Sequence, residues 1–249
     1  MMKKHKHKIV VEKTAHYYSL GNISTAKTLW FVLHGYGYNA NYFIHKFDVI
    51  ADEENFVVAP EGLSKFYVSG VSGRVGASWM TKENREDEIQ DYLNYLNSLY
   101  ETTMIKKILA QEKDYMGVTS DRFNKIKIST DETLLSQIDL TEVKVNIIGF
   151  SQGGATAARW VSDNKINCTN FILWASVFPD DMEFEVLKTK TNSFLLYGDD
   201  DEYVTQERID KQKAILEKAN INCKLIEFKG KHDVPAEVLK EQCKLNNWT

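Results

Sequence analysis

The segment Asn146-Ile-Ile-Gly149-Phe150-Ser151-Gln152-Gly153-Gly154 sets a serine midway between two glycines. An apolar run precedes it, and the small residues Ala-Thr-Ala-Ala follow it. That context spells a strand, a sharp turn and a helix, the nucleophile elbow, where side chains at the flanking positions would collide with the turn. The turn lifts the Ser151 hydroxyl above the end of the strand. The free N–H groups at the start of the next helix then favour any negative charge developing there. A serine so placed suits acyl transfer, but it is a weak nucleophile until a base, oriented by a third group, activates it.

In strand–elbow–helix enzymes the acid and then the base follow the serine along the chain. Histidines occur at 5, 7, 16, 34, 45 and 232, and only His232 lies beyond Ser151. It follows the apolar run 224–228, on a loop at the carboxyl end of a last strand. The acid is expected after the run 193–197, which leads through Gly198 into Asp199, Asp200 and Asp201. Only one of three adjacent carboxylates can meet the imidazole. Asp201 is the expected one and Asp200 its main rival. A tetrahedral intermediate also needs two donors for its oxyanion. The Gln152 N–H is one. The Tyr36 N–H is the other, in the loop His34-Gly-Tyr-Gly37, whose glycines let the backbone approach a substrate. His34 itself, well before the serine, is expected to brace that loop. The stretch 64–81 and the loop Val177-Phe178-Pro179 are expected to build an acyl groove, with Trp79, Met80 and Phe178 as lining residues.

These groups need elements to hold them. Continuous apolar runs at 28–33, 56–59, 143–148, 168–174, 193–197 and 224–228 read as strands buried on both faces, hence a parallel sheet under helices. The stretch 10–20 predicts one or two strands of a hairpin. Apolar positions Ile89, Tyr92, Leu93, Leu96, Leu99 and Tyr100 recur at helical spacing within 86–110. Shorter helices are predicted at 152–162, 206–219 and 236–245. Strand–helix alternation is the α/β class. About thirty polar residues, 113–142, exceed the 2–6 of an ordinary connection and read as an insertion, with a small hairpin over 123–128 and a short helix over 132–138. It leaves a helix and enters a strand, so it is expected at the amino edge of the sheet, whereas ligands bind at the carboxyl edge.

The chain has 249 residues, with 43% hydrophobic and 27% charged. That is ordinary globular composition and excludes wholesale disorder. One domain spanning 1–249 is expected, with residues 1–8 a flexible leader. The formal net charge of −4 argues against nucleic acid, whose binding domains are usually strongly basic. His5 and His7 offer too few ligands for a metal, and no metal or organic cofactor is expected. Ile9, Val10 and Val11 give way at once to Glu12 and Lys13, too short for a secretory core. No run approaches the 18 apolar residues of a membrane helix, so no stable membrane insertion is expected. Three widely spaced cysteines, at 168, 223 and 243, suit buried thiols in a reducing cytoplasm.

The motifs His34-Gly-Tyr-Gly, Ala59-Pro-Glu-Gly62, Gly149-Phe-Ser-Gln-Gly-Gly154 and Gly198-Asp-Asp-Asp-Glu-Tyr-Val204 resemble those of the phospholipase/carboxylesterase family. Its members include acyl-protein thioesterases and small bacterial carboxylesterases of the α/β-hydrolase fold. Gly76-Ala-Ser-Trp-Met-Thr81 is most similar to the predicted bacterial esterases of that group. The family's G-x-x-D-x-x-V pattern falls on Gly198, Asp201 and Val204, which favours Asp201. The chain departs from the family in Thr205, where Pro is usual, in Lys231 before His232, and in the insertion. The resemblance implies a serine hydrolase of small carboxylic esters working through a Ser151–Asp201–His232 triad. Acyl-protein thioesterase or lysophospholipase activity on the same triad is the alternative, and a non-catalytic binding protein on this fold the third reading. Oligomeric state is left open, a homodimer being one option.

Overall fold

Strand β2 (Thr28–Leu33) is buried at every position, so both its faces must be covered. Leu29, Phe31 and Leu33 pack into one core, Trp30 and Val32 into a second. The same alternation holds for β6 (Lys144–Phe150), β7 (Asn170–Trp174) and β8 (Asn192–Gly198). Phe171 and Leu173 of β7, for instance, face the first core, Ile172 and Trp174 the second. The structure, a computed structural model, describes residues 3–116, 143–189 and 191–249.

With β1 (Tyr17–Leu20), β3 (Asn55–Pro60) and β9 (Cys223–Phe228) these strands form a seven-stranded sheet in the order β1-β3-β2-β6-β7-β8-β9. All neighbours are parallel except β1, antiparallel to β3. Asparagines pin the register at the amino edge. Asn192 donates to Asn170 (3.1 Å), Asn170 to Asn146 (2.8 Å), and Asn146 to the Trp248 carbonyl (2.6 Å). Two short strands, β4 (Ser64–Tyr67) and β5 (Val75–Ser78), form a separate antiparallel hairpin.

Helices α2 (Arg85–Met116), α3 (Gln152–Ser162) and α5 (Gln206–Lys218) cover the first face. They contribute Tyr92, Leu96, Ala157, Trp160, Ile209 and Leu216 to its core. Helix α1 (Ala40–Phe43), a 3-10 turn (Ile44–Phe47) and α6 (Ala236–Leu245) cover the second, with Phe43, Phe47 and Leu239. A one-turn helix, α4 (Glu185–Thr189), follows β7. The molecule is therefore a single-domain α/β-hydrolase fold with a mostly parallel sheet. Among the described residues no helix is long and apolar enough to cross a membrane.

Of the one or two strands expected over 10–20, one forms, Tyr17–Leu20, and residues 3–16 have no regular structure. Ile9, Val10 and Val11 are exposed. Lysines beside them make the contacts instead: Lys8 bonds Asp87 (2.8 Å) and Lys6 bonds Asn84. Helix α2 runs to Met116, past the expected start of the insertion at 113. The hairpin and short helix predicted within 113–142 lie outside the described residues. The chain is next described at Val143, at the amino edge, where the Lys144 N–H bonds the Lys27 carbonyl.

Candidate active site

The loops after β2, β6, β7, β8 and β9 all emerge at the carboxyl edge of the sheet. Between β6 and α3 the chain turns in one residue. Ser151 sits at φ 52°, ψ −119°, outside the regions open to ordinary side-chain-bearing residues, a conformation that costs about 1–3 kcal/mol and persists only when its surroundings hold it. The Ser151 N–H donates to the Trp174 carbonyl (3.0 Å), and the Ser176 hydroxyl to the Ser151 carbonyl (2.8 Å). The flanking glycines are required by close approach. A Cβ on Gly149 would stand 2.5 Å from the Gly154 Cα, and one on Gly153 2.4 Å from the Leu33 carbonyl oxygen.

Ser151 Oγ lies 2.9 Å from His232 Nε2. On the other side of the ring, Nδ1 lies 2.8 Å from Asp201 Oδ2 and 3.0 Å from Oδ1. The Asp201 side chain is fully buried. Its Oδ1 also accepts the N–H groups of Tyr203 (2.8 Å) and Val204 (2.9 Å). The three adjacent acids thus divide. Asp199 bonds Lys229 and the Gly230 N–H, clasping the β8 loop to the β9 loop, and the Lys229 ammonium holds its carboxyl below the usual range. Asp200 is exposed at the wall of the cavity over Ser151. A carboxylate on Nδ1 fixes the tautomer that leaves Nε2 free to accept the serine proton.

The turn Gly35–Tyr38 lies across from the elbow. The N–H groups of Gly37 and Tyr38 are used on the Ala77 (2.9 Å) and Gly35 (3.2 Å) carbonyls. The Tyr36 N–H has no such partner among the described residues, and Gln152 begins α3, where helix geometry leaves its N–H without an intrahelical acceptor. His34 is wholly buried. Its Nδ1–H donates to the Gly35 carbonyl (2.8 Å) and its Nε2 accepts the Gly62 N–H (3.0 Å). Burial pushes its pKa down to about 4, so at neutral pH it braces the loop as an uncharged ring.

The cavity over Ser151 and His232 has a volume of about 880 Å³ and is walled by Tyr36, Tyr38, Val177, Pro179 and Tyr203 among others. Trp79, Met80 and Phe178, expected as its lining, do not reach it. Trp79 is buried and acts as a strut: its indole N–H donates to the His34 carbonyl (2.8 Å) and its backbone N–H to the Gln152 side chain (3.1 Å). The Met80 carbonyl accepts the Gln152 amide (2.8 Å). Phe178 packs inward against Phe171 and Phe184. Large apolar side chains on a loop over the sheet are drawn into the core, which leaves the groove to tyrosines, small residues and a rim of charged side chains. Tyr203, whose ring lies 4.6 Å from that of His232, escaped sequence reasoning although it sits two residues from Asp201. The loop carrying Val177 and Pro179 is tied down at Asp181, bonded by Arg159 (2.7 Å) and Arg85. Burial alone would raise the Asp181 carboxyl, but the two guanidiniums outweigh it and hold it at about 2.

A family model described as Serine hydrolase (FSH1) matches residues 24–242. Among solved structures, the carboxylesterase from Mesorhizobium loti superposes with a TM-score of 0.64 at 12% identity, covering 92% of this chain and 94% of that one. Acyl-protein thioesterase 2 of Zea mays gives 0.61 at 14% identity, over 94% and 98%. A Bacillus cereus carboxylesterase gives 0.59 at 15%, over 94% and 93%. At these identities the likeness is one of fold. A search of curated proteins returns no match.

Proposed function

Because the chain belongs to the serine hydrolase (FSH1) family, we propose that it hydrolyses carboxylic esters through an acyl-enzyme on Ser151. The observation that carries the reading is the unbroken relay of Ser151 Oγ to His232 (2.9 Å) to Asp201 (2.8 Å) at the floor of an open cavity. His232 Nε2 takes the serine proton as Oγ attacks the ester carbonyl. The Tyr36 and Gln152 N–H groups hold the oxyanion of the tetrahedral intermediate. Its collapse breaks the bond to the alkoxide, which leaves as the alcohol with the proton from His232. Water, deprotonated by the same ring, then attacks the acyl-enzyme and releases the carboxylic acid and Ser151. Asp201, bonded to Nδ1, orients the ring and stabilises the imidazolium.

The substrates proposed are small acyl esters, with no nucleic-acid partner and no stable membrane insertion. The setting proposed is the cytoplasm, which the three free cysteines suit; burial pushes the Cys223 and Cys243 thiols up to about 12, which lowers their reactivity. Matched 4-nitrophenyl esters and acyl thioesters of increasing chain length test the reading. The wild type is expected to favour the esters and Ser151→Ala to lose at least about 10³-fold in kcat. A wild-type preference for thioesters contradicts the ester assignment, and a fully active Ser151→Ala the nucleophile.

A further inference from the structure

Beside the catalytic cavity lies a second one, of about 430 Å³. Tyr38 lines both. The Tyr38 ring meets Phe150 edge-on at 5.7 Å, and Phe150 lies 5.0 Å from His232. The side cavity is therefore separated from the catalytic imidazole by two aromatic rings in contact, Tyr38 and Phe150. Its volume falls at the lower end of the range for small-ligand sites.

The charges differ between the two. The catalytic cavity carries Asp200 and Glu202 against Arg208 and Lys231, with no net sign. The side cavity has Tyr38, Tyr42, Phe43 and Val75 for walls, and its charged lining residues are both cations, Lys46 and Arg74. Lys46 is already paired, its Nζ lying 2.5 Å from Asp233. Arg74 is not. Its guanidinium donates one long bond, 3.4 Å, to the Gly37 carbonyl, and no carboxylate meets it among the described residues. Gly37 follows Tyr36, whose N–H is the oxyanion donor of the proposed mechanism. The unpaired guanidinium thus lies against the oxyanion turn, in the lining of an aromatic cavity that shares the Tyr38 wall with the catalytic one. A guanidinium presents a planar fork of donors that fits a carboxylate with two parallel hydrogen bonds.

We infer that the side cavity is an anion subsite, and that the substrates of this enzyme are esters carrying a carboxylate remote from the scissile bond, seated on Arg74. The inference rests on the ester-hydrolase reading and narrows its substrate class. It calls for no new chemistry: the anion is bound, not transformed, and the Ser151 steps are unchanged. Because the carboxylate is held equally in ground and transition states, its contribution falls on KM more than on kcat.

Two matched pairs of esters test it. One carries the charge on the acyl side, 4-nitrophenyl hemiglutarate against 4-nitrophenyl valerate. The other carries it on the leaving group, 4-carboxyphenyl acetate against 4-(methoxycarbonyl)phenyl acetate. In at least one pair the wild type is expected to favour the charged member by about tenfold in kcat/KM, the scale of one charge-assisted hydrogen bond. The pair that shows it identifies which half of the ester enters the side cavity. In Arg74→Gln the charged-to-neutral ratio is expected to fall toward one, chiefly through KM, and Arg74→Lys to restore part of it. Added salt should erode the preference. Absence of any preference in the wild type, or a preference that survives Arg74→Gln, overturns the subsite. If none of the four esters is turned over, the ester-hydrolase reading itself fails and the inference falls with it.

Discussion

At the residue scale the site separates three identical side chains by environment. Asp201 is buried on the imidazole, Asp199 clasps Lys229, and Asp200 faces solvent. Asp201→Asn is expected to cost about 10³–10⁴-fold in kcat, as loss of the orienting acid does in such triads. Asp200→Asn should leave kcat within about threefold, since a solvated carboxylate at the rim contributes little; parallel assays of the three Asn variants rank them. His34 sets a pH limit on stability. Its folded pKa is about 4, against an ordinary value of 6.5. Between those values the unfolded chain binds the proton and the folded one does not, so acidification favours unfolding. The contribution is whole above pH 6.5 and declines as pH falls toward 4, a loss of about 2 kcal/mol between pH 7 and pH 5. Urea unfolding at the two pH values should show that slope in the wild type, and a slope smaller by that amount in His34→Asn. Ser151 and His232 were legible because a motif and an elimination pointed to single positions. Among the acids Asp201 was the expectation and Asp200 its rival, and only a family pattern sharpened that choice, since their backbone neighbours are alike. The pocket lining was illegible, because burial decides which way Trp79, Met80 and Phe178 point and sequence does not give it.

At the element scale, β5 and its following residues do more than close a hairpin. Trp79 ties the oxyanion turn to the head of α3 through His34 and Gln152. Trp79→Phe keeps an aromatic side chain in the buried position, though a smaller one, and removes the indole donor. It is expected to lower kcat by about tenfold, less than outright loss of an oxyanion donor, with KM little changed, because the oxyanion exists only beyond the ground state. Steady-state kinetics on one ester reads both constants. Equal changes in both would mark Trp79 as a simple packing residue. The elbow itself leaves no room: in Gly153→Ala the new Cβ would press on the backbone carbonyls of Leu33 and His34, 2.4 and 2.5 Å away. A melting curve should show a loss of at least about 2 kcal/mol. The buried strands and long helices were legible from apolar runs and helical spacing. The ends were not, nor was which part of 10–20 would form its strand: Tyr17–Leu20 owes its place to pairing with β3, while Val10 and Val11, with similar local propensity, have no regular structure.

At the scale of the whole molecule, the sheet order carries every proposed functional group to one edge. Ser151, Asp201 and His232 follow three different strands, β6, β8 and β9, and only their shared parallel direction brings the three loops together. The fold survives at identities of 12–15% to esterases and a thioesterase, so fold alone does not settle the substrate, and the site must be questioned directly. The central claim is that Ser151 is a nucleophile activated within this frame. Intact-protein mass spectrometry after brief exposure to a fluorophosphonate, followed by peptide mapping, asks it most directly. The expected result is one adduct per chain, on the peptide containing Ser151, absent from folded Ser151→Ala. A wild-type chain that takes no adduct, or a Ser151→Ala chain that is labelled as fast as the wild type, contradicts the account.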